Sequence, residues 1–364
     1  MNITQVTPFS KDLQEKIDLL IKRRTAIKLG NVSFDSPLLL APMSNICAFP
    51  FRLLMEELGA GGTVSELISC HGINYKNEKT LRMLSIHPSE KNIGIQLFGE
   101  SAESMAVSAK VVLDHCQPKF IDINMGCPVR KVVTKGSGSA LLKDTSKLGH
   151  FFKTIKDAID VPLTIKIRTG WDDDSLNSPE VIRIAREEGV EFVAIHGRTR
   201  TQQYKGLANW DLLEQVSKES VLPIIGNGDL HSPTLVRKRM ANSNCKAFML
   251  GRGPLRNPFI FLESYLEDGE EVNFTPGDYW EITSRLFEYN QMYTDRERTL
   301  LVMMRKHIMW FAAGLNNAGQ FRNTLFKCPE LDDTMNLTKD FFLSLTTAKK
   351  QLNPDEAFMT SGHG

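Results

Sequence analysis

Short apolar runs recur along the chain, and stretches with helical spacing lie between them. The runs fall at 38–42, 63–65, 93–98, 120–125, 163–168, 192–197, 223–228 and 247–251. The intervening stretches 50–58, 102–115, 145–158, 178–188, 209–218 and 232–240 place apolar residues three and four apart, as a one-faced helix does. Strand–helix alternation predicts an α/β protein with parallel pairing and crossover helices. Eight such units in roughly 215 residues fit a closed (β/α)8 TIM barrel better than an open sheet. An open doubly wound sheet carries a glycine-rich turn after its first strand. Here Ala41-Pro42-Met43 stands in that place, and GSGSAL at 136–141 lacks the third glycine and does not directly follow a strand.

The flanks have a different pattern. Residues 11–24 carry Leu13, Ile17, Leu20 and Ile21 at helical spacing, and 27–34 reads as a small hairpin around Gly30-Asn31. Beyond Gly253 the repeat stops, and 279–293, 296–313 and 332–352 read as helices. The organisation expected is an N-terminal helix and hairpin over 1–34 and a barrel over 35–255. A smaller all-helical C-terminal domain over 256–352 and a flexible tail over 353–364 would follow.

Charge and cysteine content narrow the setting. The formal net charge is +1 over 364 residues, so nucleic-acid binding would need a local patch. The helical segment offers one: Arg296, Arg298, Arg305, Lys306, His307, Arg322 and Lys327 alternate with Trp310, Phe311, Phe321 and Phe326. A solvated helix face is the ordinary alternative. The six cysteines form no CxxC pair, which argues against a zinc site or a disulfide framework and for a reduced, cytoplasmic setting. The first 24 residues are too charged for a signal peptide, and no apolar run approaches the ~20 residues of a membrane span. No metal and no membrane are expected.

The candidate chemistry sits at the strand ends, which in such a barrel share one rim where active sites lie. Residues 121–125 alternate apolar and polar side chains, and the strand breaks at Gly126-Cys127-Pro128 before the basic loop Arg130, Lys131, Lys135. A buried, inert thiol is the ordinary state of a lone cysteine. Other segments put polar groups on the same rim: Pro42-Met43-Ser44, Gln96, Asn124, Lys166 and Arg168, His196 to Arg200, Asn227-Gly228-Asp229 and Gly251-Arg252-Gly253. The last two follow strands seven and eight, where this barrel often seats a phosphate. A flavin needs an apolar cushion, an amide at its pyrimidine edge and a cation near N1/O2. Pro42-Met43, Gln96 and Lys166 are the matching groups, and His196 stands as a contact to cofactor, substrate or a carbonyl. Cys127 is a nucleophile or a general acid by its type; beside a hydride donor it suits protonation during reduction of an activated C=C bond.

These residues resemble the tRNA-dihydrouridine synthases, most closely their bacterial B-type branch. The matching pieces are APM at 41–43, FR at 51–52, SE at 65–66, QLFG at 96–99, DINMGCP at 122–128, GSALL at 138–142 and KIRTGW at 166–171. IHGRTR at 195–200, NGD at 227–229, GRG at 251–253, RKH at 305–307 and QFR at 320–322 complete them. The resemblance implies bound FMN, NADPH as reductant, and reduction of a tRNA uridine to 5,6-dihydrouridine, with hydride passing from flavin N5 to C6 and Cys127 protonating C5. It implies FMN contacts from Pro42, Met43, Ser44, Gln96, Lys166, Asn227, Gly228, Asp229, Gly251 and Arg252, and a uracil held by Asn124 and Arg168. Arg130, Lys131, Arg198, Arg305 and Lys306 are the further substrate contacts expected, on a monomer. The chain departs from the family in 44–52, SNICAFPFR, where an acidic residue is common, and in an N-terminal stretch that starts before the usual point. The competing reading is an FMN-dependent TIM-barrel oxidoreductase reducing an activated C=C bond in a small metabolite. The basic helical segment and the 130–135 loop disfavour it.

Overall fold

A computed structural model describes residues 6–350. The expected tail 353–364 lies outside the described residues, as do 351–352 of the last helix expected. Two short strands, β1 (Ile27–Leu29) and β2 (Val32–Phe34), form an antiparallel hairpin. Eight parallel strands follow: β3 (Leu38–Leu40), β4 (Gly62–Ser69), β5 (Ile93–Phe98), β6 (Phe120–Met125), β7 (Leu163–Arg168), β8 (Val193–His196), β9 (Ile224–Asn227) and β10 (Ala247–Leu250). They pair in chain order, and β10 closes on β3. The expected TIM barrel is therefore present, followed by helices Pro276–Tyr293, Glu297–Ala312, Ala318–Leu325 and Leu331–Ser344.

Alternation along each strand divides the residues between two cores. On β6, Ile121, Ile123 and Met125 join the large apolar core under the surrounding helices, which leaves Asp122 and Asn124 to the barrel interior. The interior apolar cluster is smaller and contains Leu39, Val64, Ala194, Ile225 and Met249. The hairpin closes its floor. Phe34 meets Phe120 and Phe192 edge-on, each at 5.9 Å, and those two meet each other at 5.5 Å. Rings buried this way contribute ~2–3 kcal/mol each. The N-terminal helix Lys11–Ile21 buries Leu13, Ile17 and Leu20, and Lys16 reaches Asp278 of the C-terminal helices at 2.9 Å.

Three local differences from the sequence expectation have physical causes. Strand β4 runs to Ser69, four residues past its expected end, because a bulge between Val64 and Leu67 breaks the alternation that marks a strand. The basic loop after Cys127 is a helical turn, Arg130–Val133. The last helix ends at Ser344, with no helix over 345–350.

Candidate active site

The barrel register sets polar side chains side by side at the rim. Gln96 pairs with Asp122 across β5 and β6, Asn124 with Lys166 across β6 and β7, and Arg168 with His196 and then Asn227 across β7, β8 and β9. Gln96 Nε2 donates to Asp122 Oδ2 at 2.7 Å, and Thr164 Oγ1 donates to Asp122 Oδ1 at 2.7 Å. An ionised carboxylate only accepts, so it fixes the Gln96 amide with its oxygen turned away. That oxygen accepts from Asn124 Nδ2 at 2.8 Å, and Asn124 Oδ1 accepts from Cys127 N at 2.9 Å. One hydrogen-bonded chain thus runs from a carboxylate buried in the barrel to the cysteine backbone. Burial raises the Asp122 pKa to about 6, opposed by its bonds from Gln96 and Thr164 and by nearby Lys166.

Cys127 is held from both sides by backbone bonds. Its carbonyl accepts from Ser139 Oγ at 3.0 Å and Ser139 N at 3.2 Å. The chain returns to it through Gly138 at φ +61°, where a Cβ would stand 2.9 Å from Cys127 O. Burial pushes the thiol pKa up, opposed by the Val129 backbone and the Arg168 charge. The sulfur therefore carries its proton at neutral pH, which suits an acid better than a nucleophile. Alkylation by iodoacetamide at neutral pH should accordingly be slower than for a free thiol. It should accelerate only as pH rises beyond the ordinary thiol range, and mass-spectrometric time courses of the Cys127 peptide would show this.

A cationic recess lies beside the thiol. Lys166 Nζ donates to Asn227 Oδ1 at 3.0 Å, and Asn227 Nδ2 donates to Met249 O at 2.6 Å. Lys166 has a neutral partner rather than a carboxylate, and burial and Arg168 lower its pKa to about 8, with Asp122 opposing. Burial and the charges of Arg168, Lys166, Arg198 and Arg252 hold His196 well below the usual histidine range. Arg198 NH1 lies 3.2 Å from His196 Nε2; since arginine only donates, that nitrogen accepts and the imidazole proton sits on Nδ1. Gly228 turns at φ +134°, where a Cβ would approach Ala208 Cβ to 2.5 Å. Gly251 opens beside Met43, whose sulfur would be 4.0 Å from a Cβ there, so the loops after β3 and β10 meet. Pro42, Met43, Ser44, Lys166, His196, Asn227, Gly228, Gly251 and Arg252 thus share one mouth. The donor set fits a phosphate-bearing aromatic cofactor: several cations, few carboxylates and two glycine turns.

Other expected site residues bond to the loops around the mouth or lie beyond it. Arg198 is 2 % exposed; it grips both oxygens of Asp229, at 2.8 and 2.9 Å, and donates to Gly206 O at 2.6 Å. Asp229 Oδ2 also accepts from Ala208 N at 2.7 Å, so the pair braces the loop after β8. Arg168 reaches Gly126 O at 2.7 Å, Thr199 O at 2.9 Å and Gln203 O at 2.8 Å, which ties that loop to the cysteine turn. Arg130 and Lys131 are exposed beyond Cys127. On the helix Glu297–Ala312, Lys306 is exposed and Arg305 half-buried. The aromatic partners expected beside them are mostly core: Phe311 and Phe321 are buried, and Phe321 stacks on Phe341 at 3.9 Å. His307 is buried and neutral, its pKa lowered to about 4 by burial, so it adds no charge to the face. Phe326 alone of the four is exposed.

Tyr204 was missed by sequence reasoning. It lies on the loop after β8, under Arg168 at 5.6 Å and Arg252 at 5.2 Å, with His196 at 6.4 Å. Burial raises its pKa, opposed by Arg168. Its only sequence signal was an aromatic among polar residues eight positions after a rim histidine. Among the described residues, no group of three or more His, Cys, Asp or Glu could hold a metal, and no helix is long and apolar enough to cross a membrane.

The family model for dihydrouridine synthase (Dus) matches residues 39–346, all eight barrel strands but one residue and the C-terminal helices. The chain belongs to the dihydrouridine synthase family. It is 33 % identical over 328 residues to the "Probable tRNA-dihydrouridine synthase" of Rickettsia prowazekii, covering 89 % of this chain and 100 % of that one. It is 32 % identical over 324 residues to tRNA-dihydrouridine synthase B of Pseudomonas aeruginosa, covering 87 % and 96 %. Among solved structures it is similar to a 2-naphthoyl-CoA reductase in complex with 2-naphthoyl-CoA, at TM-score 0.54 and 12 % identity. An amine oxidase from Pseudomonas geniculata gives TM-score 0.53 at 11 % identity. The match covers 67 % and 74 % of this chain but only 52 % and 53 % of theirs, and the likeness is one of fold. The APM, MGCP, HGRTR, NGD and GRG segments stand at or just past the C-terminal ends of β3, β6, β8, β9 and β10.

Proposed function

We infer that this protein is a tRNA-dihydrouridine synthase that uses FMN, with NADPH as reductant. Family membership over most of the chain supports the activity. The observation that carries the chemistry is a buried thiol and a cationic recess on one barrel mouth. FMN, when bound, supplies the hydride that reduces the uracil C=C bond. Lys166, Asn227, Gly228, Gly251 and Arg252 would hold it, together with Pro42, Met43, Ser44, Gln96 and His196. Asp229 acts through Arg198, keeping the β8 loop in place.

The chain's own residues do the rest. The target base must leave the stack to enter the mouth. Asn124 retains one N–H after bonding Gln96, and Arg168 retains one terminal nitrogen after bonding three carbonyls. These are the donors for the uracil carbonyls. Cys127 Sγ–H delivers its proton to C5, and the adjacent Arg168 charge eases the thiolate left behind. Arg130, Lys131, Arg305 and Lys306 would meet the tRNA backbone.

The test is direct. Purified protein should show flavin absorbance or gain it on adding FMN. With NADPH and tRNA lacking dihydrouridine it should add two hydrogens to a uridine, read by nucleoside mass spectrometry. Protein that stays colourless with FMN, or that leaves every uridine unreduced, would remove this reading.

A further inference from the structure

We propose that Lys143, Trp171 and Arg200 form a built phosphate seat for tRNA on the barrel rim, separate from the helical segment. The inference rests on the tRNA reading above and adds where the barrel grips the strand. Lys143 Nζ lies 3.9 Å from the Trp171 ring centroid, and Arg200 lies 4.5 Å from it. Two cations held over one indole stand within about one Debye length of each other, so each raises the electrostatic cost of the other. The ring quadrupole offsets part of that cost. A carboxylate would offset more, yet among the described residues neither cation pairs with one; the neighbouring Asp144 pairs with Lys147 instead, at 3.0 Å. Arg200 Nε is moreover buried without a hydrogen-bond partner. The rest of the half-buried Arg200 guanidinium and the exposed Lys143 ammonium also make no hydrogen bond among the described residues, so they keep donors for an anionic oxygen.

The seat is rigid and close to the chemistry. The loops after β7 and β8 are joined by backbone bonds from Arg200 N to Gly170 O and from Thr201 N to Trp171 O, each 3.0 Å. Thr169 N donates to Arg198 O at 3.3 Å in the same pairing. Trp171 is three residues from Arg168, whose Nε binds Gly126 O beside Cys127. Lys143 ends the 3-10 turn Gly138–Lys143, whose Ser139 binds the Cys127 carbonyl. The three side chains thus stand on the loops that frame the thiol. A strand whose base enters the mouth must run its backbone across this rim. Phosphate contacts of this kind fix register without reading sequence.

The experiment is a salt series of tRNA binding to the FMN-loaded enzyme, with Lys143→Ala, Arg200→Ala and Trp171→Phe. Each alanine variant should weaken tRNA binding about 5-fold and reduce the slope of log affinity against log salt by about 1. Flavin content and kcat should hold while KM for tRNA rises. Trp171→Phe keeps a ring under both cations and should lie between wild type and the alanine variants. Unchanged salt slopes in both alanine variants, with wild-type binding steep, would overturn the seat and leave the tRNA reading standing. Absence of salt-dependent tRNA binding in the wild type would overturn both.

Discussion

Cys127→Ala should keep its flavin and lose turnover on tRNA by about 10²–10⁴-fold, the usual contribution of a positioned general acid. The flavin should stay because the cysteine's structural bonds are made by its backbone. Its N–H goes to Asn124 Oδ1 and its carbonyl receives Ser139, and alanine keeps both. The recess that would bind FMN is built by other strands, through Lys166, Asn227, Gly251 and Arg252. What alanine removes is the proton. A thiol whose thiolate is disfavoured by burial but eased by Arg168 delivers a proton and leaves a tolerable anion. Cys127→Ser keeps a donor of similar size but a far weaker acid, so it should sit near the alanine variant. Single-turnover stopped-flow, following flavin oxidation by tRNA, separates this from an effect on binding. A variant with wild-type turnover would take the thiol out of the mechanism.

Much of this arrangement was legible in the sequence, because parallel barrel strands are short, apolar and evenly spaced. The runs at 93–98, 120–125 and 163–168 coincide with β5, β6 and β7. The rim was legible for a related reason: a polar residue closing an apolar strand has no packing purpose there. Less visible was what the rim residues bond to. Arg198 and Asp229 pair with each other, and charge pairing across separate loops leaves no local pattern. The Asp122–Gln96–Asn124 chain depends on register between β5 and β6, which sequence spacing does not encode. Phe311 and Phe321 illustrate the opposite failure. Aromatics interleaved with arginines read as a nucleic-acid face, but 3.6-residue periodicity turned these two inward and left most of the charges outside.

The second large effect is expected at Arg52, which lies away from the mouth. Its guanidinium is 1 % exposed and binds Glu90 in two places, Nε to Oε1 at 2.7 Å and NH2 to Oε2 at 3.0 Å. It also donates to Cys47 O at 2.7 Å and Ser85 O at 3.0 Å, tying the segment after β3 to the one before β5. Arg52→Met fills similar volume but leaves the Glu90 carboxylate buried without its cation. Breaking one side of such a pair costs about 3–5 kcal/mol, so the urea midpoint should fall markedly. Replacing both partners with apolar residues is often close to neutral. Arg52→Met combined with Glu90→Leu should therefore recover much of the loss, which a double-mutant cycle would quantify. The recovery should be in stability more than in flavin retention. The bond to Cys47 O restrains the turn that carries Pro42, Met43 and Ser44, and the double variant does not restore it. Flavin retained through gel filtration should thus remain low in both variants. Full retention in the single variant would mean that Met43 O, which accepts from Cys47 N at 3.0 Å, holds that turn without help from the arginine.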